Sequence, residues 1–450
     1  MPGPSRALEL AQAYAAGSTD PVEVLEAALA KAAELPAAFI SLSAERGRRE
    51  ALASRSRWRA GQALSVLDGV PFAWKDLFDV AGSVTTAGSA TRRELAPATA
   101  DAALVGALTR AGLVNLGKTN LSEFAYSGLG LNPHFGTPIN PFSGHEPRVP
   151  GGSSSGSAVA VAAGVVPLAM GTDTAGSIRV PAAFNGLVGY RSSRRRYAFD
   201  GVFPLARSLD ALGPLARTVE DIVAVDSLLR GGPVSRRSTA CSLFGVRVYV
   251  DPAWIDDSRV QPAVRQNLER ALERLACAGA VVERKPIKAM REALAMIERG
   301  DWVGSAEAFA LHESLLDSAD AKRLDPRVRK RLEGARSIPA SHQIRLYQQG
   351  ESLRRQLVDE LDGAFVITPT VAHVAPLLAP LEADEALFVA TNLATLRLTM
   401  PGSLLDMPAV ALPSGVDEHG LPTSLLLAAP SAADDLLLRA ALAVEAALLP

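Results

Sequence analysis

PGGSSSGSAVAVAAGVVPLAMGTDTAGSIRVPAAFNGLVG, residues 150–189, carries two glycine–serine loops around an uncharged run. The loops, Gly151–Ser157 and Gly171–Ser177, bracket Ala158–Met170, which is small and apolar as a buried element must be. Glycine-rich loops let backbone N–H groups crowd around a polar or charged group, and a serine within them adds a nucleophile or proton carrier. Isolated Gly/Ser clusters are more often flexible surface turns. Two such loops on either side of one buried-type segment read as an active site instead.

Composition bounds the rest. At 450 residues the length corresponds to roughly three average domains, but α/β folds often exceed that size as one unit. Apolar residues make up 48% and charged residues 21%, which suits a globular chain with a large core. A net charge of −2 gives no electrostatic reason to expect nucleic acid or an anionic membrane. The two cysteines, Cys241 and Cys277, lack metal-type spacing and fit a reducing compartment. The start, MPGPSRALEL, has no basic segment followed by an apolar one, so no signal peptide is read. The longest apolar run contains Pro167 and is too short to span a bilayer. A soluble, cytoplasmic protein is expected.

Local patterns predict alternating strands and helices. Asp20-Pro21-Val22-Glu23 opens a helix to about Ala33, and a second covers Ala44–Arg59. Gly69–Phe72 reads as a strand delivering Trp74, Lys75 and Asp76 at its end. A helix over Ala100–Ala111, closed by Gly112, precedes a strand at Leu113–Leu116. Arg191 and the run Arg194–Arg196 read as a solvated face. Thr218–Leu229 is a capped helix, Gly231-Gly232-Pro233 with Ser235–Ser242 a linker, and Val246–Val250 a strand. Gln261–Ala276 is an amphipathic helix, and residues 287–362 are mostly helical with interruptions at Pro326 and Pro339. Strands at Ala364–Ile367, Val410–Leu412 and Ser424–Leu427 precede a helix over Ala432–Leu448. The alternation predicts one α/β domain over residues 1–450, with 287–362 as a helical cap.

Three chemistries compete. Gly112–Thr119 satisfies G-x-x-x-x-G-K-[ST], but a phosphate-binding loop needs a strand before its first glycine and a helix opening at the lysine. Here a helix precedes Gly112 and Leu-Val-Asn-Leu is strand-like, so a nucleotide-binding reading is disfavoured. Gly152–Gly156 satisfies G-x-S-x-G, the hydrolase nucleophile elbow, which requires a later acid and then a histidine. Of six histidines, at 134, 145, 312, 342, 373 and 419, the late His373 and His419 sit in turn-like surroundings that suit an exposed or locally bonded ring. The third option pairs serine with a lysine made neutral by burial, for which Lys75 is placed at the end of a buried strand.

Resemblance selects the third. Gly69–Asp76, Gly117–Asn120, Pro150–Ser154 and Gly171–Ala183 together resemble the amidase signature family, as do Asp210, Gly213-Pro214, Thr368–Thr370 and Met407–Ala409. The likeness runs from about residue 20 to the C-terminus. It implies an α/β/α fold with a central mixed sheet covered by helices on both faces. It also implies a Ser–cis-Ser–Lys triad: Ser177 as nucleophile, Ser153 as proton relay and Lys75 as base. Ser153 and Ser177 stand 24 residues apart, the family's usual interval. Backbone N–H groups of Thr174, Ala175, Gly176 and Ser177 then form the oxyanion hole, with Ser154, Asp173 and Arg179 in support. Departures are Ala175 and Ser155 where the family usually has glycine, and Arg191-Ser192-Ser193 in place of Lys-Pro-Thr. Ala211 follows Asp210 where tRNA-dependent amidotransferase subunits tend to carry glutamine.

The expected function is therefore hydrolysis of a linear amide or carbamate (urethane) C–N bond through an acyl-enzyme on Ser177, without metal or cofactor. Alternatives are a glutamine-deamidating subunit of a tRNA amidotransferase and, in another class, a P-loop nucleotide-binding protein. A small-molecule substrate and a monomer or homodimer are expected, with apolar anilides and carbamates preferred to glutamine. The acyl pocket is expected from Tyr126–Asn140 and regions 300–350 and 390–405, with Leu129, Phe135, Ile344 and Leu396 in its walls.

Overall fold

The computed structural model describes residues 6–232 and 242–449. Eleven strands form one sheet: β1 (Phe39–Leu42), β2 (Pro71–Lys75), β3 (Val114–Thr119), β4 (Leu168–Asp173), β5 (Val188–Arg191), β6 (Ala211–Ala216), β7 (Arg247–Val250), β8 (Val281–Arg284), β9 (Phe365–Pro369), β10 (Ala409–Val416) and β11 (Pro422–Ala428). Their order is β1-β3-β2-β4-β6-β5-β10-β11-β9-β7-β8. The strands within β3-β2-β4 and within β9-β7-β8 run parallel, and the remaining neighbours are antiparallel. The sheet is mixed, as expected.

Successive residues of a strand face opposite sides. Phe72 and Trp74 of β2, with Leu168 and Met170 of β4, join one apolar cluster, while Ala73 and Ala169 join another. Both faces of the sheet are therefore covered. The central strands β2, β4, β5, β6 and β11 are buried at every position because neither side of the sheet meets water there, whereas the edge strands β1 and β8 are partly exposed.

Helix boundaries follow local chemistry. The Asp20 side chain accepts the N–H groups of Val22 and Glu23, capping the helix Pro21–Ala33. The next helix spans Ala44–Arg59, as its sequence predicts. Pro326 and Pro339 mark beginnings: Pro326 opens the helix Pro326–Glu333 and Pro339 caps Ala340–Leu361. Proline lacks the N–H that an interior position would need, and a first-turn position has no use for it. With Lys288–Glu298 and Gly304–Leu316 these helices make up the segment expected as a cap. It packs on the body through Asp325 N–H donating to Glu123 (2.7 Å), Arg331 to the Tyr126 carbonyl (3.0 Å) and Ser208 N–H to Glu307 (3.0 Å).

One expectation fails clearly. Arg191 is fully buried, donating to the Asp173 carbonyl and to Leu209 O (3.2 Å). Arg194 pairs with Asp406 at 3.1 Å, and Arg196 with Asp226 and Asp435, each at 2.6 Å. Only Arg195 of this group is solvent-exposed. The acids that hold the others lie far away in sequence, so the basic run looks solvated until the chain folds. Cys241 and most of the expected linker fall outside the described residues; Cys277 is a free, exposed thiol.

Candidate active site

The central segment folds as a helix, a strand and two loops. The helix Ser155–Ala162 is buried along nearly its whole length, and β4 carries the second loop to its start at Asp173. Glycines permit this packing. A Cβ on Gly152 would lie 2.5 Å from Gly130 N, and one on Gly171 would lie 2.8 Å from Ser154 Oγ. Gly151 is held at φ +75° with its Cβ position 2.8 Å from Pro181 Cα. The Gly152–Ser153 peptide is cis.

Lys75, the last residue of β2, is fully buried. Its Nζ donates to Ser153 Oγ at 2.7 Å and to Thr172 Oγ1 at 2.8 Å. Burial pushes the ammonium down to about 7, against the opposing charges of Asp173 and Asp210. Its neutral, proton-accepting form is therefore accessible near neutrality. The parallel β2/β4 register sets Trp74 opposite Met170, which brings the ends of the two strands together.

Ser177 is 4% exposed, in the loop between β4 and the helix Arg179–Phe184. Its carbonyl accepts Ser154 N–H at 3.2 Å. Among the described residues its Oγ makes no hydrogen bond, so the Ser153–Ser177 step of a relay is not among the bonds formed here. The N–H groups of Thr174, Ala175, Gly176 and Ser177 likewise donate to no described residue. Four adjacent donors are thus left without a protein acceptor among the described residues. Ala175 has no positive φ, so the departure from glycine there carries no backbone strain. Gly176 is at φ +145° and its Cβ position collides with the Thr399 hydroxyl, so glycine is required.

The loop is braced from below. Asp173 accepts Arg179 Nε (2.9 Å) and Nη2 (2.8 Å), together with Ile178 N–H (3.1 Å). Burial alone would raise this carboxyl, but the Arg179 charge and hydrogen bonds, then Arg191, outweigh it and hold it well below the usual range. Arg179 continues to Thr399 O (2.9 Å) and Ser403 Oγ (2.7 Å), and Thr399 Oγ1 donates to Ala175 O at 2.6 Å. Ser154 Oγ donates to Thr172 O at 3.3 Å and is buried. Sequence reasoning missed Thr172, Thr399 and Arg191. Thr172 sits in the recognised motif; the other two carry no local signal.

The competing motifs dissolve. Gly117, Lys118 and Thr119 belong to β3, and Lys118 pairs with Asp76 at 2.6 Å inside the protein, so no phosphate loop exists there. His373 bonds Val374 O (2.9 Å) and Thr395 Oγ1 (3.0 Å), and His419 is an exposed residue beside Glu418. Among the described residues no histidine is hydrogen-bonded to Ser154 or Ser177.

A cavity of about 290 Å³ lies beside the loop Tyr126–Leu131, lined by Leu131, Val328, Phe388, Val389 and Leu393 together with the charged Asp325, Arg327, Lys330, Arg331 and Glu385. Gly128 O of that loop accepts Gly152 N–H at 2.8 Å. The regions expected to form a pocket contribute, but the four named side chains do not line it. Leu129 is core, Ile344 is 55% exposed, Phe135 stacks under Arg93, and Leu396 packs behind Gly128. Among the described residues no helix is long and apolar enough to cross a membrane.

Comparison with known proteins decides the affiliation. Residues 23–438 match the family model described as Amidase. The chain belongs to the amidase signature family. This amidase is 37% identical to the 2-amino-5-chloromuconic acid deaminase of Comamonas testosteroni, over 91% of this chain and 88% of that protein. It is 34% identical to the AtzE component of the 1-carboxybiuret hydrolase of Pseudomonas sp. (strain ADP), over 97% of each chain. A crystal structure of an amidase superposes with a TM-score of 0.86 at 32% identity, covering 98% of this amidase and 99% of that chain.

Proposed function

We propose that this amidase cleaves a linear amide or carbamate through an acyl-enzyme on Ser177. Neutral Lys75 takes a proton from Ser153 as Ser153 takes one from Ser177, whose Oγ forms a bond to the substrate carbonyl carbon. The carbonyl electron pair moves to oxygen, where the N–H groups of residues 174–177 receive it. The proton returns through Ser153 to the substrate nitrogen, the C–N bond breaks and the amine leaves. Water, deprotonated by the same base, then releases the acid or carbamic acid and regenerates Ser177. The observation that carries this reading is the fully buried Lys75, 2.7 Å from Ser153 Oγ and held to about 7.

Ala211 and the apolar stretch Tyr126–Phe135 favour anilides and aryl carbamates over glutamine as substrates. The Comamonas relative is named for an acid, so acid-bearing amides belong in the same test. A panel of anilides, carbamates, acid-bearing amides and glutamine, assayed with purified protein, tests the reading. We expect turnover of an anilide or carbamate with an acyl adduct on Ser177 by peptide mapping. Turnover without any Ser177 adduct under acid quench, or a higher kcat/KM for glutamine than for every other compound, overturns it.

A second reading has its own support. A glutamyl-tRNA(Gln) amidotransferase component from Symbiobacterium thermophilum is 33% identical over 98% of this chain and 96% of that protein. Glutaminase activity that appears only with partner chains added would favour that role.

A further inference from the structure

Asp210 is a carboxylate that the mechanism above leaves unused. It is 4% exposed, and among the described residues it forms no ion pair. A buried carboxylate with no cation partner is costly unless hydrogen bonds hold it. Three do, and they come from two places. Thr174 Oγ1 donates to Oδ1 at 2.5 Å, and the N–H groups of Leu205 and Ala206 donate to Oδ2 at 2.9 and 3.0 Å. Thr174 opens the loop of free N–H groups. Leu205 and Ala206 belong to a turn closed by Asp210 N–H on Ala206 O (2.8 Å) and bound on its far side by Glu307.

The carboxylate therefore ties the Thr174 side chain to a rigid turn, and a residue pinned by its side chain has its N–H direction fixed as well. Asp210 also lies within electrostatic reach of Lys75, whose charged form it favours alongside Asp173. Burial lifts the Asp210 carboxyl to about 6 against its hydrogen bonds, with Glu307 the acidic neighbour that adds to the rise.

We propose that Asp210 is the positioning residue of the oxyanion loop, aiming the Thr174 N–H while its charge acts on Lys75. This rests on the reading of residues 174–177 as the oxyanion hole and Lys75 as the base. A residue that only closed the 205–210 turn would affect stability without touching the pH profile of turnover.

The test compares full-length wild type, Asp210→Asn, Thr174→Val and the double variant on one anilide substrate, with fluorophosphonate labelling in parallel. We expect Ser177 to be labelled in all four and KM to stay within about threefold. A single misaimed oxyanion donor should cost kcat roughly 10- to 100-fold in each single variant, less than outright removal of a donor. The double variant should lose no more than the larger single loss, because once valine has removed the Thr174 hydroxyl the side chain at 210 has nothing left to aim. In Asp210→Asn the acid limb of kcat/KM should move to lower pH, since removing a neighbouring negative charge makes Lys75 easier to deprotonate. Unchanged kcat in Thr174→Val, multiplied losses in the double variant, or an unmoved acid limb would each overturn the proposal. Should Asp210→Asn fail to fold, Thr174→Ser against Thr174→Val decides it: serine must keep kcat and valine lose it. If wild type is not labelled at Ser177, the underlying mechanism falls first and this proposal with it.

Discussion

Lys75 and Thr172 are joined by a 2.8 Å hydrogen bond across the ends of two neighbouring parallel strands. The bond gives the lysine a second acceptor besides Ser153 and fixes the direction of its ammonium. A flexible four-carbon side chain held at both acceptors points its lone pair, once neutral, at a defined place.

Removing the amine should abolish base assistance. We expect Lys75→Ala to lower kcat/KM by at least roughly 10²–10⁴-fold, the usual contribution of a general base. In wild type, kcat/KM should fall as pH drops through about 7, because protonation of Lys75 consumes the form that accepts a proton. Steady-state kinetics between acid and neutral pH check both. Near-wild-type turnover in Lys75→Ala, with loss in His373→Ala or His419→Ala, would reject the serine–lysine mechanism.

Nucleophile and elbow serine are separable. A fluorophosphonate should label Ser177 and leave Ser154 untouched, since Ser154 Oγ is buried and bonded to the Thr172 carbonyl. Peptide mapping that placed the adduct on Ser154 would favour the elbow chemistry.

The brace beneath the loop should be structural in its energetics. Arg179→Ala leaves Asp173 buried with half its partners gone, a change that costs about 3–5 kcal/mol in comparable buried pairs. A Tm decrease of several degrees should accompany it. Because the Asp173 pKa is depressed in the folded chain, its contribution is present at neutral pH and lost as pH falls through the ordinary carboxylate range and below. Denaturant unfolding of Arg179→Ala at two pH values checks the sign.

Gly176→Ala should be inactive, with kcat at least roughly 10²-fold lower, the loss expected when an oxyanion donor is displaced. Two faults coincide there, a positive φ and a collision with Thr399. Adding Thr399→Ala removes the collision with the hydroxyl but leaves the positive φ and deletes the hydrogen bond to the Ala175 carbonyl, so the double variant should recover part of the activity and never all of it. Full recovery would mean that backbone conformation at Gly176 is not limiting.

The setting of the site was legible in short, glycine-punctuated stretches, which read as a buried strand end at Lys75 and two polar loops holding Ser153 and Ser177, and the strands and helices around them follow cap and apolar-run rules. The roles given to these three residues came from the resemblance to the amidase signature family, because a lysine or serine in such a stretch carries no local mark of chemistry. The supporting groups were not legible, for a physical reason. Thr399 reaches the loop from 224 positions away, and Arg191 owes its burial to Asp173 across the sheet. An arginine near three others in sequence looks hydrated, since nothing local names the acids that will neutralise it. Lys118 misled in the opposite direction: its phosphate-loop spacing arises in a strand whose lysine answers Asp76. The pocket was predicted by region and missed by residue, because which side of a helix faces a cavity depends on packing between elements.

The β2/β4 register has an evolutionary consequence. A one-residue slip between adjacent strands turns every side chain to the other side, so inserting a residue ahead of Lys75 would carry the base away from Ser153 in a single step. Lengthening a helix within residues 287–362 shifts no strand register. Inheritance can therefore revise that segment while the meeting of Lys75 with Thr172 at the strand ends is copied unchanged, like a ruler ruled into the sheet.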